Sequence, residues 1–301
     1  MTPHDFPDSR DFPDASNSPD FSDFPRYLAA KRTVDDRALN RPVWQAFRDC
    51  LPAHRPLRVL EVGGGIGTMV ERLAAWGLTN APVHYTLLDA DPANIAAAQE
   101  RLAAPPSPFR VECVAADMLT FATSQPPDAP RWDALIAHAV LDLVDLHRAL
   151  PPLLALLRPG GCFWFTLNFD GDTIFAPEIA PAYEDHLMAR YHRTMDERRV
   201  NGQPAGSSRT GRRLLTLLPR LGAEILAAGA SDWVVFPRHG AYPGDEAYFL
   251  HFIVATVQRA LQEDPAVDAQ RLAAWAAQRH TQIRAGELVY IAHQLDIAGR
   301  T

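Results

Sequence analysis

The stretch Leu57-Arg58-Val59-Leu60-Glu61-Val62-Gly63-Gly64-Gly65-Ile66-Gly67 decides the fold. Its first six residues form a short, nearly continuous apolar run, the mark of a strand buried on both faces. Its last five form a glycine-rich turn, and a helical pattern follows at about residues 68–76. Such a turn lets backbone approach a ligand closely and aims helix N–H groups at it. The glycine spacing narrows the choice of ligand. A dinucleotide fingerprint runs GxGxxG, and counted from Gly63 its third glycine falls on Thr68. The chain has Glu61-x-Gly63-x-Gly65-x-Gly67 instead, and no catalytic pair typical of a dehydrogenase is identifiable.

Working outward, short apolar runs alternate with helical patterns. Residues 84–88 read as a second strand ending at Asp89, and Pro92 opens a helix through about Leu102. Residues 110–115 are a third strand ending near Asp117, and 132–137 a fourth, followed by a helical stretch over 141–157. Pro159-Gly160-Gly161 reads as a turn before a fifth strand, 162–167. Sixth and seventh strands fall within 224–236 and 287–297, with a helix at 212–221 and two more in 245–285. This alternation predicts an α/β fold, a Rossmann-like, doubly wound, seven-stranded sheet with helical insertions in the second half. The expected division is a tail, 1–25, and one domain, 26–301. Within that domain lie N-terminal cap helices (26–56), a ligand-binding core (57–169) and insertions at 170–207 and 237–286.

Composition removes other classes. The 301 residues carry a formal net charge of −7, and the first 25 hold six aspartates against Arg10. The tail therefore supplies −5 of the −7, and the other 276 residues −2. Its repeated Asp-Phe-Pro units, five prolines and lack of glycine cannot build a core and predict a disordered acidic segment. The body shows no basic stripe for a nucleic-acid backbone, no membrane-length apolar run and no secretory leader. Cys50, Cys113 and Cys162 are widely spaced among apolar neighbours and read as buried thiols of a reducing, cytoplasmic compartment.

The core resembles the class I S-adenosylmethionine (SAM)-dependent methyltransferases over about residues 57–167. Val59 to Gly67 carries the likeness most strongly, supported by Leu87-Leu88-Asp89-Ala90-Asp91, Ala116-Asp117-Met118 and Leu157-Arg158-Pro159-Gly160-Gly161. The resemblance implies SAM as cofactor, held by Glu61, Gly63, Gly64, Gly65, Gly67, Asp89, Ala90, Asp117 and Met118. Asp89 would accept hydrogen bonds from the ribose hydroxyls and Asp117 from the adenine amine, while Asp91 reads as a helix N-cap. Glu61 either orients the loop or meets the methionine ammonium through water. A cap segment of this fold often covers SAM, which makes Tyr27, Lys31, Arg32 and Arg37 candidates for its carboxylate, Arg32 or Arg37 ahead of the others; surface ion pairs with Asp35 and Asp36 are the alternative.

The resemblance brings no universal catalytic residue, because a sulfonium already activates the methyl and the protein chiefly aligns a nucleophile. His138, after strand four, is the candidate catalytic and cofactor-contacting side chain, or else a structural residue opening the next helix. Asn168 at the end of strand five, Tyr183 and His186 in the first insertion and Tyr242 in the second are the candidate acceptor contacts. Tyr183, His186 and Arg190 share one helical face, read as a polar pocket or a solvated surface. No metal site is expected, since His186 and His192 lack the i, i+4 spacing. The expected reaction is in-line methyl transfer to a small organic acceptor, oxygen slightly ahead of nitrogen, in a chain that is a possible homodimer. The alternatives are a protein or RNA methyltransferase, or a SAM-binding protein without transferase activity.

Overall fold

The computed structural model describes Phe21 and residues 23–126 and 129–301. The predicted disordered tail therefore lies mostly outside the described residues. In chain order the elements begin with α1 (Phe24–Ala30), α2 (Arg32–Ala38), α3 (Arg41–Cys50), β1 (Leu57–Val62), α4 (Thr68–Ala75), β2 (Val83–Asp89) and α5 (Pro92–Arg101). Next come β3 (Phe109–Ala115), α6 (Met118–Ser124), β4 (Trp132–His138), a 3-10 turn (Leu141–Leu143), α7 (Leu146–Leu154) and β5 (Leu157–Ala176). The second half holds α8 (Pro181–Asp196), β6 (Arg199–Val200), β7 (Gln203–Pro204), α9 (Thr210–Arg220), β8 (Glu224–Ala230), β9 (Trp233–Val235), α10 (Glu246–Leu261), α11 (Ala269–Ala285) and β10 (Val289–Arg300).

The main sheet runs β3-β2-β1-β4-β5-β10-β8, with β9 also paired to β10. Strands β1 to β5 are parallel neighbours, and β10 enters antiparallel to both β5 and β8. This is the expected doubly wound, Rossmann-like sheet. Its order reverses at β1 and β4, so the ligand crevice opens beyond their carboxyl ends. Both central strands are buried along almost their whole length, which is why they read as unbroken apolar runs.

Local chemistry places the helices that frame this crevice. Asn40 caps α3 through a bond from the Val43 amide, with a proline in the first turn. The helix buries Val43, Trp44 and Phe47, and Trp44 and Phe47 pack on Trp164 of β5 at 5.1 and 5.4 Å between ring centres. Asp91 caps α5 ahead of Pro92, accepting from the Ala93 amide.

Three expectations need correction. The Pro159-Gly160-Gly161 turn lies inside β5, where the register against β4 shifts between Trp132 and Ala134. The Gly160 amide donates to the Thr301 carbonyl. The single helix over 141–157 breaks into a 3-10 turn and α7 because Asp145 starts a fresh cap at the His147 amide. Finally, Cys50 and Cys162 form a disulfide between α3 and β5, leaving half-buried Cys113 as the free thiol. The step from buried thiols to a reducing compartment therefore loses its basis. Among the described residues, no helix is long and apolar enough to cross a membrane.

Candidate active site

The turn after β1 needs its glycines for conformation and close approach. Gly63 and Gly65 have φ of +66° and +53°, where side-chain-bearing residues are strained. A Cβ on Gly63 would sit 2.5 Å from Val140 Cγ2, and one on Gly65 2.9 Å from Leu28 Cδ1. What the missing side chains admit is thus the wall of the crevice: the loop after β4 and the first cap helix. Gly67 caps α4 at φ +81° and stands behind the crevice rather than on its lining.

Asp89, at the end of β2, ties this loop to the next. One carboxylate oxygen accepts the Gly65 amide at 2.8 Å; the other accepts the Asp91 amide at 2.9 Å and Asn94 Nδ2 at 3.2 Å. Asp117 caps α6 through Oδ1, which takes the Leu119 and Thr120 amides and the Thr120 hydroxyl. Its Oδ2 has no partner among the described residues. Glu61 is 1% exposed and accepts the Tyr85 hydroxyl at 2.9 Å. Burial pushes its carboxyl up to about 8, so near neutral pH it is mostly protonated unless a cation arrives.

These groups open into one cavity of about 790 Å³, within the range of small-molecule sites. Glu61, Gly63, Gly64, Gly65, Asp89, Ala90, Asp117, Met118 and His138 all line it. So does Lys31, one of the cap side chains the sequence offered, together with side chains that sequence reasoning missed: Leu28 from the cap, Asn94 from α5, Arg148 from α7, and Asn201 and Gln203 at the β6–β7 hairpin. No local motif marks them; they meet only because distant segments fold together. Asn94 Oδ1 is buried with no partner.

The residues present fit a SAM-like ligand. Asp117 Oδ2 is an open acceptor on the lining, Asn94 Oδ1 is an unpaired buried oxygen beside Asp89, and Glu61 gains charge when a cation approaches.

His138 departs from its expected catalytic role. Its Nδ1 lies 2.7 Å from Thr166 Oγ1 and its Nε2 3.0 Å from Asp35 Oδ2. Burial lowers its pKa to about 4, so the ring is neutral, donating from Nε2 to Asp35 and accepting the Thr166 hydroxyl at Nδ1. No lone pair is left to take a proton from an acceptor. Asp35 is fully buried and also receives the Trp233 indole N–H at 2.9 Å and Lys31 Nζ at 3.3 Å. These cations and donors hold its carboxyl well below the ordinary range against the opposing effect of burial. It is not the surface ion-pair partner that the sequence allowed.

The other expected contacts lie elsewhere. Arg37 binds Glu246 at 2.5 and 2.8 Å, fastening α2 to α10, and Arg32 pairs with Glu71 at 2.7 Å. Asn168 is buried inside the sheet, donating to the Leu295 carbonyl. The face of α8 carrying Tyr183, His186 and Arg190 packs on the segment around 264–271. His186 bonds the Ala266 carbonyl, Arg190 pairs with Asp264 at 2.6 Å, and Arg271 lies over Tyr183. Tyr242 donates to the Leu288 carbonyl. None of these four candidate acceptor contacts lines the cavity.

Sheet order, glycine turn and strand-end carboxylates together define a Rossmann-like protein built to hold a nucleoside-containing ligand. Residues 60–163 match the family model described as "Methyltransferase domain". No curated protein matches the chain. Solved structures similar to it include a SAM-dependent methyltransferase from Thiobacillus denitrificans in complex with S-adenosylhomocysteine (14% identity, 92% of this chain and 98% of that one, TM-score 0.47). Others are a putative sarcosine dimethylglycine methyltransferase from Galdieria sulphuraria (14%, 91% and 85%, 0.44) and the [4+2]-cyclase SpnF (18%, 85% and 79%, 0.43).

Proposed function

We propose that the protein transfers a methyl group from SAM to a small organic acceptor by in-line displacement. The observation that carries this reading is a single cavity shared by the cofactor-side carboxylates and by the hairpin and cap residues opposite them. When bound, SAM supplies a methyl group activated by a positively charged sulfur. Asp117 Oδ2 accepts from the adenine amine, and Asp89 holds the glycine loop in shape while presenting remaining lone pairs to the ribose. Lys31, rather than Arg32 or Arg37, is the cap cation on the lining, and its ammonium meets a carboxylate.

The chain's own contribution to the transfer is alignment and exclusion of water. Cap helix α1 covers the loop through Leu28, and the β6–β7 hairpin closes the far side. With His138 occupied on both nitrogens, the site favours a nucleophile that needs no proton removed before attack. Phe24 and Leu28 of the cap and Asn201 and Gln203 of the hairpin line the cavity, and its volume of about 790 Å³ suits a small acceptor better than RNA or protein. Methyl-labelled SAM incubated with the protein and fractionated cell extract tests this reading. Label is expected in the low-molecular-weight fraction; label confined to RNA or protein would contradict it.

A further inference from the structure

The cavity has two unlike sides. Glu61, Asp89 and Asp117 stand at or next to the strand ends, whereas the side built by α1, the 3-10 turn and the hairpin is mostly apolar. Phe24, Leu28, Leu143, Val144, Val200 and Pro204 line it there. Three of them are open to solvent although large and apolar: Phe24 is 42% exposed, Leu143 43% and Val200 55%. Among the described residues eight large apolar side chains are exposed, and only these three line the cavity. Scattered singly, such residues need no cause; gathered on one concave surface, they mark a binding site.

Close contacts set these elements side by side. Leu28 of α1 and Val140, just ahead of the 3-10 turn, are the side chains that a Cβ on Gly65 or Gly63 would strike, so both segments flank the glycine loop. The hairpin's root seats on the 3-10 turn. The Ser207 amide donates to the Asp142 carbonyl at 3.2 Å, and a Cβ on Gly206 would come within 2.7 Å of the same oxygen. The Ser208 amide and hydroxyl bond Asp196 at 2.8 and 3.0 Å. Beyond that root, residues 199–204 are all exposed. Val200 pairs with Gln203 across Asn201 and Gly202, whose φ of +51° and +74° make a tight hairpin turn. A two-stranded hairpin is marginal by itself, so this arm gains stability from whatever it closes on. The charged groups nearby are already engaged or open to water: Lys31 pairs with Asp35, Asp145 caps α7, and Arg148 is exposed.

We propose that the methyl acceptor is a molecule with an uncharged, apolar body, seated on Phe24, Leu28, Leu143 and Val200 with the hairpin closed over it. This rests on the methyltransferase reading and deepens it by naming the class of acceptor. Such a molecule removes the three exposed side chains from water, a gain that grows with the apolar area covered. It also keeps water away from the transfer. The side-chain amides of Asn201 and Gln203 supply the few polar contacts that orient a ligand in an apolar site. A strongly polar acceptor would find too few partners for its own groups on this side.

The test is calorimetry on the full chain loaded with S-adenosylhomocysteine, titrated in turn with 1-butanol, 1-hexanol and 1-octanol. Saturable binding at one site is expected, with affinity rising about three- to fourfold per added methylene. Leu143→Asn and Val200→Asn are each expected to weaken 1-octanol at least threefold, with an unshifted urea midpoint reporting an intact fold. Ile174→Asn, which changes an exposed apolar side chain away from the cavity, is expected to leave it unchanged. An affinity that does not rise with chain length, unchanged 1-octanol binding in both folded cavity variants, or an equal loss in Ile174→Asn each overturns the apolar acceptor site. Failure of S-adenosylhomocysteine itself to bind would instead defeat the methyltransferase reading.

Discussion

Asp35 ties three buried groups together beside the site. Its two oxygens serve His138, Trp233 and Lys31, so truncation strands three groups at once. Breaking a buried pair by removing one partner costs about 3–5 kcal/mol. Asp35→Ala is therefore expected to lose roughly that much in urea unfolding, and a loss below about 1 kcal/mol would show that the network is dispensable. Glu61 makes a second prediction at this scale. Its folded pKa of about 8 lies above the unfolded value, so the protonated form is the one the fold prefers. Its stabilising contribution is complete below the unfolded carboxyl pKa of about 4.3 and is lost as pH rises toward 8. His138 runs the other way: its folded pKa of about 4 lies below the ordinary 6.5, so stability falls as pH drops from 6.5 toward 4. Glu61→Gln keeps an acceptor for Tyr85 and should flatten the decline in melting temperature between pH 5 and 8. An unchanged slope would mean that Glu61 does not titrate in that window.

At the scale of elements, the cap is clasped to the second insertion. Phe21 stacks on His251 at 4.7 Å and His280 at 5.4 Å, Arg26 pairs with Asp245, and Arg37 holds Glu246. Among the described residues the clasp's first contact is at Phe21, and removing residues 1–20 is expected to leave S-adenosylhomocysteine affinity unchanged by calorimetry. A tenfold loss would show that the acidic segment takes part in the site. The elements also explain what could be read in the sequence. Strands β1 to β4 were legible to within one residue because each is a short, mostly apolar run between helical patterns, with an acidic residue or histidine at its mouth. The strand-end side of the cavity was legible with them, since Glu61, Asp89 and Asp117 stand at or next to strand ends and line it. The long β5 was hidden by a proline and two glycines that read as a turn. The buried role of Asp35 and the hairpin at 199–204 were not legible because contacts across the fold, not local pattern, give them their places.

For the whole molecule, the Cys50–Cys162 bond staples the cap's third helix to the central sheet across 112 residues of chain. Thiol titration of the unfolded, unreduced protein should therefore find one reactive cysteine, Cys113; three would remove the staple. The charge of the molecule is likewise a matter of placement. Five of the seven net negative charges belong to the first 25 residues, whereas Glu61, Asp89 and Asp117 face one cavity. The measurement that bears most directly on this account is calorimetric titration of the full chain with S-adenosylhomocysteine and with NAD, repeated for Asp89→Ala. S-adenosylhomocysteine should bind at one site and lose about 1.5–3 kcal/mol in the variant, the scale of hydrogen bonds to a charged group, while NAD does not saturate. Saturable NAD binding with no response to S-adenosylhomocysteine would contradict the central claim.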